Sequence, residues 1–591
     1  MRKILLKFSY LFTLLIFISA AVTAQNATLK GNVKDANGNA LNGASVVVDP
    51  KNIGTTTDVA GNYTLQIPAG EYLLSISFVG QSTQSINISA KAGQTIVKNV
   101  NLMLAGAADE VRVVGSRSAR PRTIISTPVP VDIISAKEIK QFAQTDLSQM
   151  LTYAAPSFQS THQSVTDGTD AIDPASLRGL GPDQTLVLLN GKRRHTTSLV
   201  NINGSVGRGS VGTDMNAIPT AAIDHIEILR DGAAAQYGSD AIAGVINVVL
   251  KKKFKGINVT ATAGENITSM PYTSYYTGQA NHMKINDGGN KQLDFSAGTF
   301  SKNGAYVNIS GQWLSRDQTN RSGEDNGPLA YIGTSAGGFP TPPQGSLPMG
   351  TTIASYRAYL MDQDKAIQAG RNYKRRNMVI GQSASNNYSA FANAGIPITR
   401  NIDFYTTIGA SNRTGQAEGN YRTPNSISQQ PQSTTFNNFS GNFNYYPDGF
   451  LPEIHTTIAD YSAITGFKAK FGKWNLDLSN THGYNSLHYY VQNSGNASLI
   501  SAPQKSFDAG LQKFAQNTIN LDADRNFDFG LKNNLNIAFG AEARHENFAI
   551  VAGEPNSWNT GSSSGISWWF FLHTNYNTST RCTGFSGLTT K

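Results

Sequence analysis

The sequence predicts a mainly β protein in three parts: an Ig-like β-sandwich, then an α+β domain, then an incomplete transmembrane antiparallel β-barrel. Three observations lead to this prediction. Only 15% of the 591 residues are charged and 56 are glycine, a composition that favours strands and turns over helices. An apolar N-terminal leader indicates export. Beyond Lys253, strands with one apolar and one polar face recur, as in barrels that cross a bilayer.

The first 24 residues have the features of a signal peptide. Three basic residues precede the apolar stretch Phe8–Ala21, and the small-residue run Val22–Ala24 forms a cleavage site before Gln25. The apolar stretch is shorter than the roughly 20 residues that a membrane-spanning helix needs. We therefore expect a cleaved leader and an exported mature chain.

Residues 25–104 contain short alternating strands between Gly-rich turns, which fits a small Ig-like sandwich with one core. The turn residues, including Gly31, Asp58 and Gly61, resemble those of the carboxypeptidase-regulatory-like domain, a non-catalytic module. A stretch beginning at Asp35 imitates a calcium loop, but Ala40 replaces the glycine that such a loop needs. No metal is expected there.

Residues 105–126 are predicted to be a linker, because they combine small residues and prolines without strand alternation. Within the linker, residues 109–115, "DEVRVVG", form a short extended stretch whose valines have no local packing partner. Two interpretations stay open. The stretch is either a solvated tether with an edge strand, or a peptide that adds to another protein's sheet by backbone pairing.

Residues 127–253 have a mixed α+β pattern. Ser135 stands three residues before Glu138, which predicts a capping box at a helix start, and a second helix is expected near Asp146. In "QTLVLLNGKRRH" the pair Asn190–Gly191 separates two strand-like runs and predicts a hairpin. The later stretch "IPTAAIDHIEILRDG" predicts a helical turn followed by a strand.

Residues 254–591 carry the barrel pattern. In "AYVNISGQW", Val307 and Ile309 share one face while Asn308 and Ser310 share the other. The Gly- and Pro-rich connection from 316 to 385 is far longer than the usual loop of about 4 to 6 residues. We expect it to be an extracellular loop.

The barrel is expected to be incomplete. At roughly 20 to 25 residues per strand with its connection, the segment suffices for about 13 to 16 strands. The final stretch "SWWFFLHTNYNTSTRCTGFSGLTTK" lacks clean alternation. These features predict a truncated or frame-shifted reading frame, and unpaired strand edges in a bilayer raise the question of whether the chain inserts by itself.

No residue pattern supports catalysis, a cofactor or a metal. The single cysteine, Cys582, excludes an intramolecular disulfide and a multi-thiolate site. A Gly-x-Gly-x-x-Gly match at Gly207–Gly212 has no helix-forming run after it, and two Gly-x-Ser-x-Gly matches lie in Ser/Gly loops. The formal charge of +9 is spread along the chain, which argues against nucleic-acid binding. A non-enzyme is expected.

Two long segments resemble the plug domain of TonB-dependent outer-membrane receptors: "SLRGLGPDQTLVLLNGKR" at Ser176–Arg193 and "IPTAAIDHIEILRDGAAAQYGSDAIAGVINVVLKK" at Ile218–Lys252. The resemblance marks residues 127–253 as the plug and implies the following plug motif residues: Arg178, Gly179, Asn190, Gly191, Arg193, Glu227, Arg230, Asp231, Tyr237, Gly238 and Gly244. It also implies that the linker holds a TonB box, formed by Asp109, Glu110, Val111, Arg112, Val113, Val114 and Gly115.

The resemblance implies import of a scarce ligand such as a siderophore, haem or cobalamin through the outer membrane. Proton-motive energy would come through TonB, with ExbB and ExbD, and the plug and sandwich would lie on the periplasmic side. A sandwich before the plug also occurs in SusC-like oligosaccharide importers, which leaves an oligosaccharide ligand and a surface lipoprotein partner open. The motif "LLNGKRRH" favours the siderophore, haem or cobalamin branch. A non-transporting surface binding or adhesion protein is the alternative from another class.

A plugged barrel of this family has about 22 strands and needs an obstruction in its channel. The alternation in "NLNIAFGAEAR" turns Glu542 and Arg544 inward. Our hypothesis is that Arg178 and Arg230 of the plug pair with lumen carboxylates such as Glu542. The alternative is that each of these arginines only caps a local turn.

Overall fold

The computed structural model describes residues 26–35, 38–49, 53–78, 84–102, 131–139, 141–142, 144–160, 164, 168–201, 207–230, 237–275, 277–301, 303–332, 339, 351–425, 446–496, 504–530 and 535–559. The predicted signal peptide, the linker with its TonB box and Asp231 lie outside these residues. The chain divides into two compact units, one holding residues 1–116 and 120–127, the other 117–119 and 128–591. Among the described residues, no helix is long and apolar enough to cross a membrane.

The first unit contains two four-stranded sheets, in the orders β4-β1-β7, with β8 also pairing β1, and β3-β2-β5-β6. The strands are β1 (Ala27–Lys34), β2 (Ser45–Asp49), β3 (Ile53–Thr56), β4 (Asn62–Ile67), β5 (Gly70–Ser77), β6 (Gln84–Ala90), β7 (Thr95–Val97) and β8 (Val100–Asn101). In β4 every second residue is buried, so Tyr63, Leu65 and Ile67 join the core. This arrangement agrees with the predicted sandwich.

The turn before β4 explains one glycine of that unit. The Asp58 carboxylate accepts hydrogen bonds from the backbone N–H groups of Ala60 and Asn62, at 2.9 and 2.8 Å. Gly61 has φ 78°, and a Cβ atom there would lie 2.5 Å from the Val33 carbonyl oxygen. The turn therefore requires glycine for both its backbone conformation and its close approach to β1.

The second unit begins with the α+β domain, whose five-stranded sheet has the order β13-β12-β15-β14-β9. Its elements are β9 (Val131–Ser135), α1 (Ala136–Ile139), α2 (Leu147–Ala154), β10 (Phe158–Gln159), β11 (Ser176–Leu177), β12 (Thr185–Leu189), β13 (Lys192–Arg193), β14 (Ile223–Leu229) and β15 (Gly244–Leu250). The capping box is present: Glu138 accepts from the Ser135 N–H at 2.7 Å, and the Glu138 N–H donates to Ser135 Oγ at 3.2 Å.

The hairpin between β12 and β13 forms as predicted. Asn190 and Gly191 both have positive φ, 53° and 80°, which is the geometry of the tight hairpin turn that Asn-Gly favours. The Asn190 side-chain oxygen also accepts from the Leu250 N–H at 2.9 Å. The turn is therefore fixed to the end of β15. Its position sets the orientation of the residues that follow it, beginning with β13.

A nine-stranded antiparallel sheet follows, in the sequential order β16 to β24. We call this sheet the wall. Its elements, with the two helices that occur along it, are β16 (Gly256–Thr273), β17 (Ala280–Phe300), β18 (Tyr306–Arg316), α3 (Ile353–Arg371), β19 (Ala384–Pro397), β20 (Ile402–Glu418), β21 (Glu453–Phe471), β22 (Trp474–Gln492), β23 (Phe507–Phe527), β24 (Leu535–Ala552) and α4 (Pro555–Trp558). In the described residues β16 and β24 are the two edges and do not pair with each other.

The wall has its apolar face outside and its polar face against the α+β domain. Val307 and Ile309 in β18 are 40% and 53% exposed, whereas Asn308 and Ser310 are 4% and 3% exposed. The same face exposes large apolar residues along the sheet, among them Leu293, Phe295, Ile408, Phe467, Leu478, Ile519, Leu521 and Phe539. This inversion confirms the predicted mainly β fold with a sheet typical of a membrane barrel.

The connections of the wall are short at one end and mostly longer at the other. The short ones are 301–305, 398–401, 472–473 and 528–534, and those at the opposite end are 274–279, 317–383, 419–452 and 493–506. The connection 317–383, which the sequence predicted as a loop, contains the helix α3. Thr352 and Ser355 cap α3 reciprocally, each side chain accepting from the other residue's N–H.

Candidate functional site

The side chains between the α+β domain and the wall form the candidate site. Directly after the Asn190–Gly191 turn come four consecutive basic or potentially basic residues, Lys192, Arg193, Arg194 and His195, which we call the basic tetrad. Each of the four side chains pairs with at least one carboxylate of the wall. These carboxylates belong to four successive strands, β21 to β24.

Lys192 binds two wall carboxylates. Its Nζ lies 3.2 Å from Asp522 Oδ2 on β23 and 3.4 Å from Asp477 Oδ2 on β22. Asp477 also accepts from the Tyr405 hydroxyl at 2.7 Å. The Lys192 side chain is only 9% exposed, whereas Asp477 and Asp522 are 18% and 46% exposed, so the ion pair lies at the border between the buried contact and solvent.

Arg194 and His195 converge on one carboxylate, Asp460 of β21. Arg194 Nη2 and His195 Nε2 each lie 2.8 Å from a different Asp460 oxygen, and Asn485 Nδ2 donates to Asp460 at 3.1 Å. The three charged or titratable side chains are between 1% and 4% exposed. A side chain at Gly483 would collide with the His195 ring, so that glycine makes room for the contact.

Arg193 contacts a carboxylate of the edge strand β24. Its Nη1 lies 2.7 Å from Asp240 within the α+β domain, and its Nε lies 3.4 Å from Glu542 Oε1. Arg544 Nη1 reaches the same Asp240 at 3.0 Å. The structure therefore directs Glu542 and Arg544 toward the domain, as the alternation of their strand predicted.

The hypothesis paired Arg178 and Arg230 with Glu542, and the structure gives both arginines contacts inside the domain. Arg230 Nη2 lies 2.9 Å from Asp132 Oδ1, and Arg178 Nη1 donates to the Arg230 carbonyl oxygen at 2.8 Å. Both contacts are inside the domain. The reason is local: Arg178 has φ 58° in a tight turn, which directs its side chain toward the end of β14, and Arg193 takes the place at Glu542.

Two further ion pairs have the opposite polarity, with the cation on the wall. Arg316 of β18 pairs with Asp146, and Arg413 Nη2 of β20 lies 2.6 Å from Asp214 Oδ2. Arg413 Nη1 also donates to the Ala171 carbonyl oxygen at 2.7 Å. Burial raises the pKa of Asp214, while the Arg413 guanidinium opposes that rise. The contact between the domain and the wall therefore contains ion pairs of both polarities.

The remaining plug motif residues have structural positions inside the domain. Glu227 is fully buried and accepts from Asn247 Nδ2 at 2.8 Å. Gly244 has φ 145°, and a Cβ atom there would lie 2.5 Å from the Leu229 carbonyl oxygen, so it allows β14 and β15 to meet. Gly179 and Gly238 also have positive φ, 74° and 88°, and Tyr237 precedes Gly238.

His225 lies beside Glu227 on β14. Its Nδ1 is 2.7 Å from Asp224 Oδ2, and its Nε2 is 3.5 Å from Glu227 Oε1. Burial opposes protonation of the ring, but the hydrogen bond to Asp224 and the negative charges of Glu227 and Asp224 outweigh it and raise the pKa of His225 to about 9. The imidazole is therefore cationic at neutral pH and is part of an internal charge network.

A second polar cluster lies among the longer connections. Asp364 of α3 is fully buried and accepts from the backbone N–H groups of Ala330, Tyr331 and Ile332 at 2.7 to 2.9 Å. The Tyr331 hydroxyl donates to Asp448 Oδ1 at 2.8 Å, which joins connection 317–383 to connection 419–452. The sequence analysis missed this cluster, although Leu360, Asp364 and Gln368 follow helical spacing.

Lys192, Arg194 and His195 were not predicted from the sequence as site residues. The available signal was the unbroken basic run after a hairpin turn, together with single carboxylates on the polar faces of several later strands. The described residues contain no group of three or more His, Cys, Asp or Glu side chains that could hold a metal ion.

Comparison with known proteins matches both N-terminal parts. Residues 123–245 match the family described as TonB-dependent Receptor Plug Domain, and residues 29–114 match the CarboxypepD_reg-like domain. The chain is 32% identical over 160 residues to a probable TonB-dependent siderophore receptor of Acinetobacter baumannii, which covers 27% of this chain and 20% of that receptor. It is 27% identical over 246 residues to the TonB-dependent receptor SusC of Bacteroides thetaiotaomicron, covering 41% and 22%.

Among solved structures, a mutant of the ferric enterobactin receptor from Pseudomonas aeruginosa aligns with 73% of this chain and 50% of its own, at 16% identity and a TM-score of 0.42. The aligned parts of the two curated relatives span about a fifth of their length.

The two family matches and the curated relatives confirm the resemblance to TonB-dependent receptors. The chain combines a CarboxypepD_reg-like domain with a TonB-dependent receptor plug domain and an antiparallel sheet typical of a barrel. The relatives are named as receptors and not as enzymes. From here on, the α+β domain is called the plug.

Proposed function

We propose that the chain acts as a TonB-dependent outer-membrane receptor that imports a scarce ligand of the siderophore type, without a covalent step. The observation that supports this most is the ionic contact between the basic tetrad and the wall. A plug held in this way closes a channel at rest. Because each contact depends on a short distance, a displacement of a few ångströms weakens it strongly.

The internal packing of the plug supports a movable rather than a permanent obstruction. Its buried apolar residues form a core largely of its own, including Leu151, Leu177, Ile226, Ile246 and Val248. Two wall residues, Phe391 and Ile464, also pack on this core, so a movement of the plug must break these apolar contacts as well as the ion pairs. The plug can therefore shift against the wall at a smaller free-energy cost than unfolding would require.

The wall supports our proposal that the chain lies in the outer membrane. Its outward apolar side chains suit outer-membrane lipid, and its strands, 11 to 21 residues long, are at least as long as the roughly 9 to 11 residues that cross a bilayer. By the same rule, the longer connections, including α3, face the cell exterior and the short turns face the periplasm. The sandwich and the plug would then lie on the periplasmic side of the membrane.

Energy would come from TonB, with ExbB and ExbD, acting on residues 109–115 as the TonB box. A short extended segment with alternating valines suits backbone pairing with a partner sheet. Deletion of residues 109–115 should leave ligand binding at the cell surface unchanged and abolish uptake. Loss of both would contradict a role limited to coupling.

A second candidate ligand class is an oligosaccharide. The alignment with SusC covers 41% of this chain, more than the 27% covered by the siderophore receptor, and a surface lipoprotein partner would accompany that function. Growth of a strain lacking the gene should be compared under iron limitation and on single glycans. A defect only on a glycan would replace the siderophore proposal with the oligosaccharide one.

The import proposal itself can be tested by fixing the plug to the wall. The Ser198 side chain contacts Asn485 of β22 at 3.0 Å. In a Cys582→Ser background, Ser198→Cys with Asn485→Cys should form a disulfide that stops uptake until a reductant is added. Each single cysteine variant serves as a control, as does a pair placed at Asn480 and Asn517 on neighbouring strands of the wall.

Two outcomes would contradict import. Uptake that continues with the plug cross-linked would show that the plug need not move. Ligand accumulation that persists after the proton-motive force is dissipated would favour surface binding or adhesion.

A further inference from the structure

A small cavity lies in the contact between plug and wall, near the ends of β18, β19 and β20 that carry the longer connections. Its volume is about 10 Å³, which is about the room that one water-sized particle occupies. The plug contributes Asp170 and Asp173 to its lining, and the wall contributes Arg316, Asn387 and Arg413. The lining also includes Ala171, Leu314 and Ala384, but most of its side chains are polar or charged, which suits a polar or charged occupant.

Two oxygen atoms of this lining accept no hydrogen bond from the described residues. They are Asp170 Oδ1 and Asn387 Oδ1, on residues that are 9% and 3% exposed. Asn387 is oriented by its own amide nitrogen, which donates to the Asn216 carbonyl oxygen at 3.3 Å. Because buried acceptors are costly without a partner, the two oxygens together call for a positively charged or donating particle.

The nearby arginines do not supply that charge. Arg316 is engaged by Asp146 and by the Ser383 carbonyl oxygen, and Arg413 is engaged by Asp214 and by the Ala171 carbonyl oxygen. Each guanidinium therefore already balances another aspartate. On its other side, Asp170 shares a second small cavity with Glu418, which is also acidic. Asp170 thus lies in a locally acidic environment.

We propose that the cavity is a binding site for a small monovalent cation such as Na⁺, held between the Asp170 carboxylate and the Asn387 amide oxygen. The ligands are all oxygen, which suits a hard cation. Calcium takes 6 to 8 oxygens, usually from several carboxylates, and the described residues contain no group of three or more metal-ligating side chains. Asp170 belongs to the plug and Asn387 to β19, so the ion adds a link between plug and wall. The site does not depend on the proposed import function.

The test uses the full chain in detergent micelles at pH 8.5. The midpoint temperature of unfolding is measured while NaCl replaces N-methylglucamine chloride at constant ionic strength, which separates ion binding from screening. We expect the midpoint to rise and to saturate as for one site. Asp170→Asn should remove the rise. Asn387→Asp, which adds a second carboxylate, should lower the Na⁺ concentration at half-saturation by about tenfold or more.

Asp224→Asn, at a carboxylate whose side chain is 57% exposed, is the matched control and should keep the wild-type response. An equal Na⁺ response in wild type and Asp170→Asn, or none in either, would mean that the cavity holds water only and would overturn the proposal. If Asp170→Asn does not fold, Asn387→Asp decides, because an unchanged half-saturation concentration in that variant also overturns it.

Discussion

Asp460 is the wall residue on which docking of the plug should depend most. It accepts three polar contacts, from Arg194 and His195 of the plug at 2.8 Å each and from Asn485 at 3.1 Å. Asp460→Ala leaves the Arg194 guanidinium, only 1% exposed, without its carboxylate. Removing one partner of a buried ion pair costs about 3 to 5 kcal/mol, and we expect a loss of that size in the free energy of docking.

Hydrogen exchange measured by mass spectrometry can read that loss directly. Each 1.36 kcal/mol corresponds to about a factor of ten in an equilibrium constant, so amides of residues 192–199 should exchange roughly 10² to 10³ times faster, or more, in the variant. Amides in β2 and β5 of the sandwich should not change. A double variant, Arg194→Met with Asp460→Leu, should recover part of the protection because it removes the buried guanidinium together with its carboxylate, while His195 and Asn485 still lose their acceptor.

The matched control is Arg544→Ala. Its ion pair with Asp240 has side chains that are 32% and 37% exposed, and exposed pairs contribute about 0 to 1 kcal/mol. Exchange should therefore accelerate by no more than about fivefold. If Asp460→Ala had an effect as small as that of Arg544→Ala, burial would not be what makes the tetrad contacts strong, and the docking argument would fail.

Three further outcomes follow from the structure. Lys192→Met removes the contacts with Asp477 and Asp522 and should cost about 1 to 3 kcal/mol in the same exchange measurement; no change would mean that this pair is neutral. His225 has a folded pKa of about 9, above its ordinary value of 6.5. Its contribution to the free energy of plug unfolding, at most about 3 kcal/mol, should be present below about pH 6.5 and lost as pH rises through 9. His225→Gln should flatten the pH dependence of plug unfolding. Gly61→Ala should destabilise the sandwich by more than about 1 kcal/mol, seen in its denaturant midpoint, because of positive φ and the collision with Val33.

Features that depend on neighbouring residues could be predicted from the sequence. The alternation around Val307 and Asn308 predicted which face of β18 is apolar, because a period of two is a local property of a strand. The turn at Asn190–Gly191 and the capping box at Ser135 and Glu138 were predicted for the same reason, since their chemistry is complete within a few residues.

Contacts between distant residues could not be predicted in this way. Lys192 meets Asp522 across 330 positions and His195 meets Asp460 across 265, and no local pattern relates them. Arg178 of the plug was expected to pair with a wall carboxylate because its backbone conformation was unknown, and its positive φ places it in a tight turn with its guanidinium on the Arg230 carbonyl oxygen. The helix α3 was missed because its buried face carries Asp364 and Gln368 in place of apolar residues, which weakens the periodic signal.

The order of strands in the plug sheet places β9 and the tetrad strand β13 at opposite edges. The proposed TonB box precedes β9, so we expect a pull from that side to act first on the five residue pairs between β9 and β14. Those pairs can separate while β12 and β15 stay joined and the tetrad stays docked. When the chain is pulled from residue 105 in a single-molecule experiment, the first event should therefore release no more than about 30 residues, those up to the end of β9. The contacts between the plug and the wall should still be intact at that point. A single rupture that released β13 together with β9 would show instead that the ionic contacts yield before the sheet does.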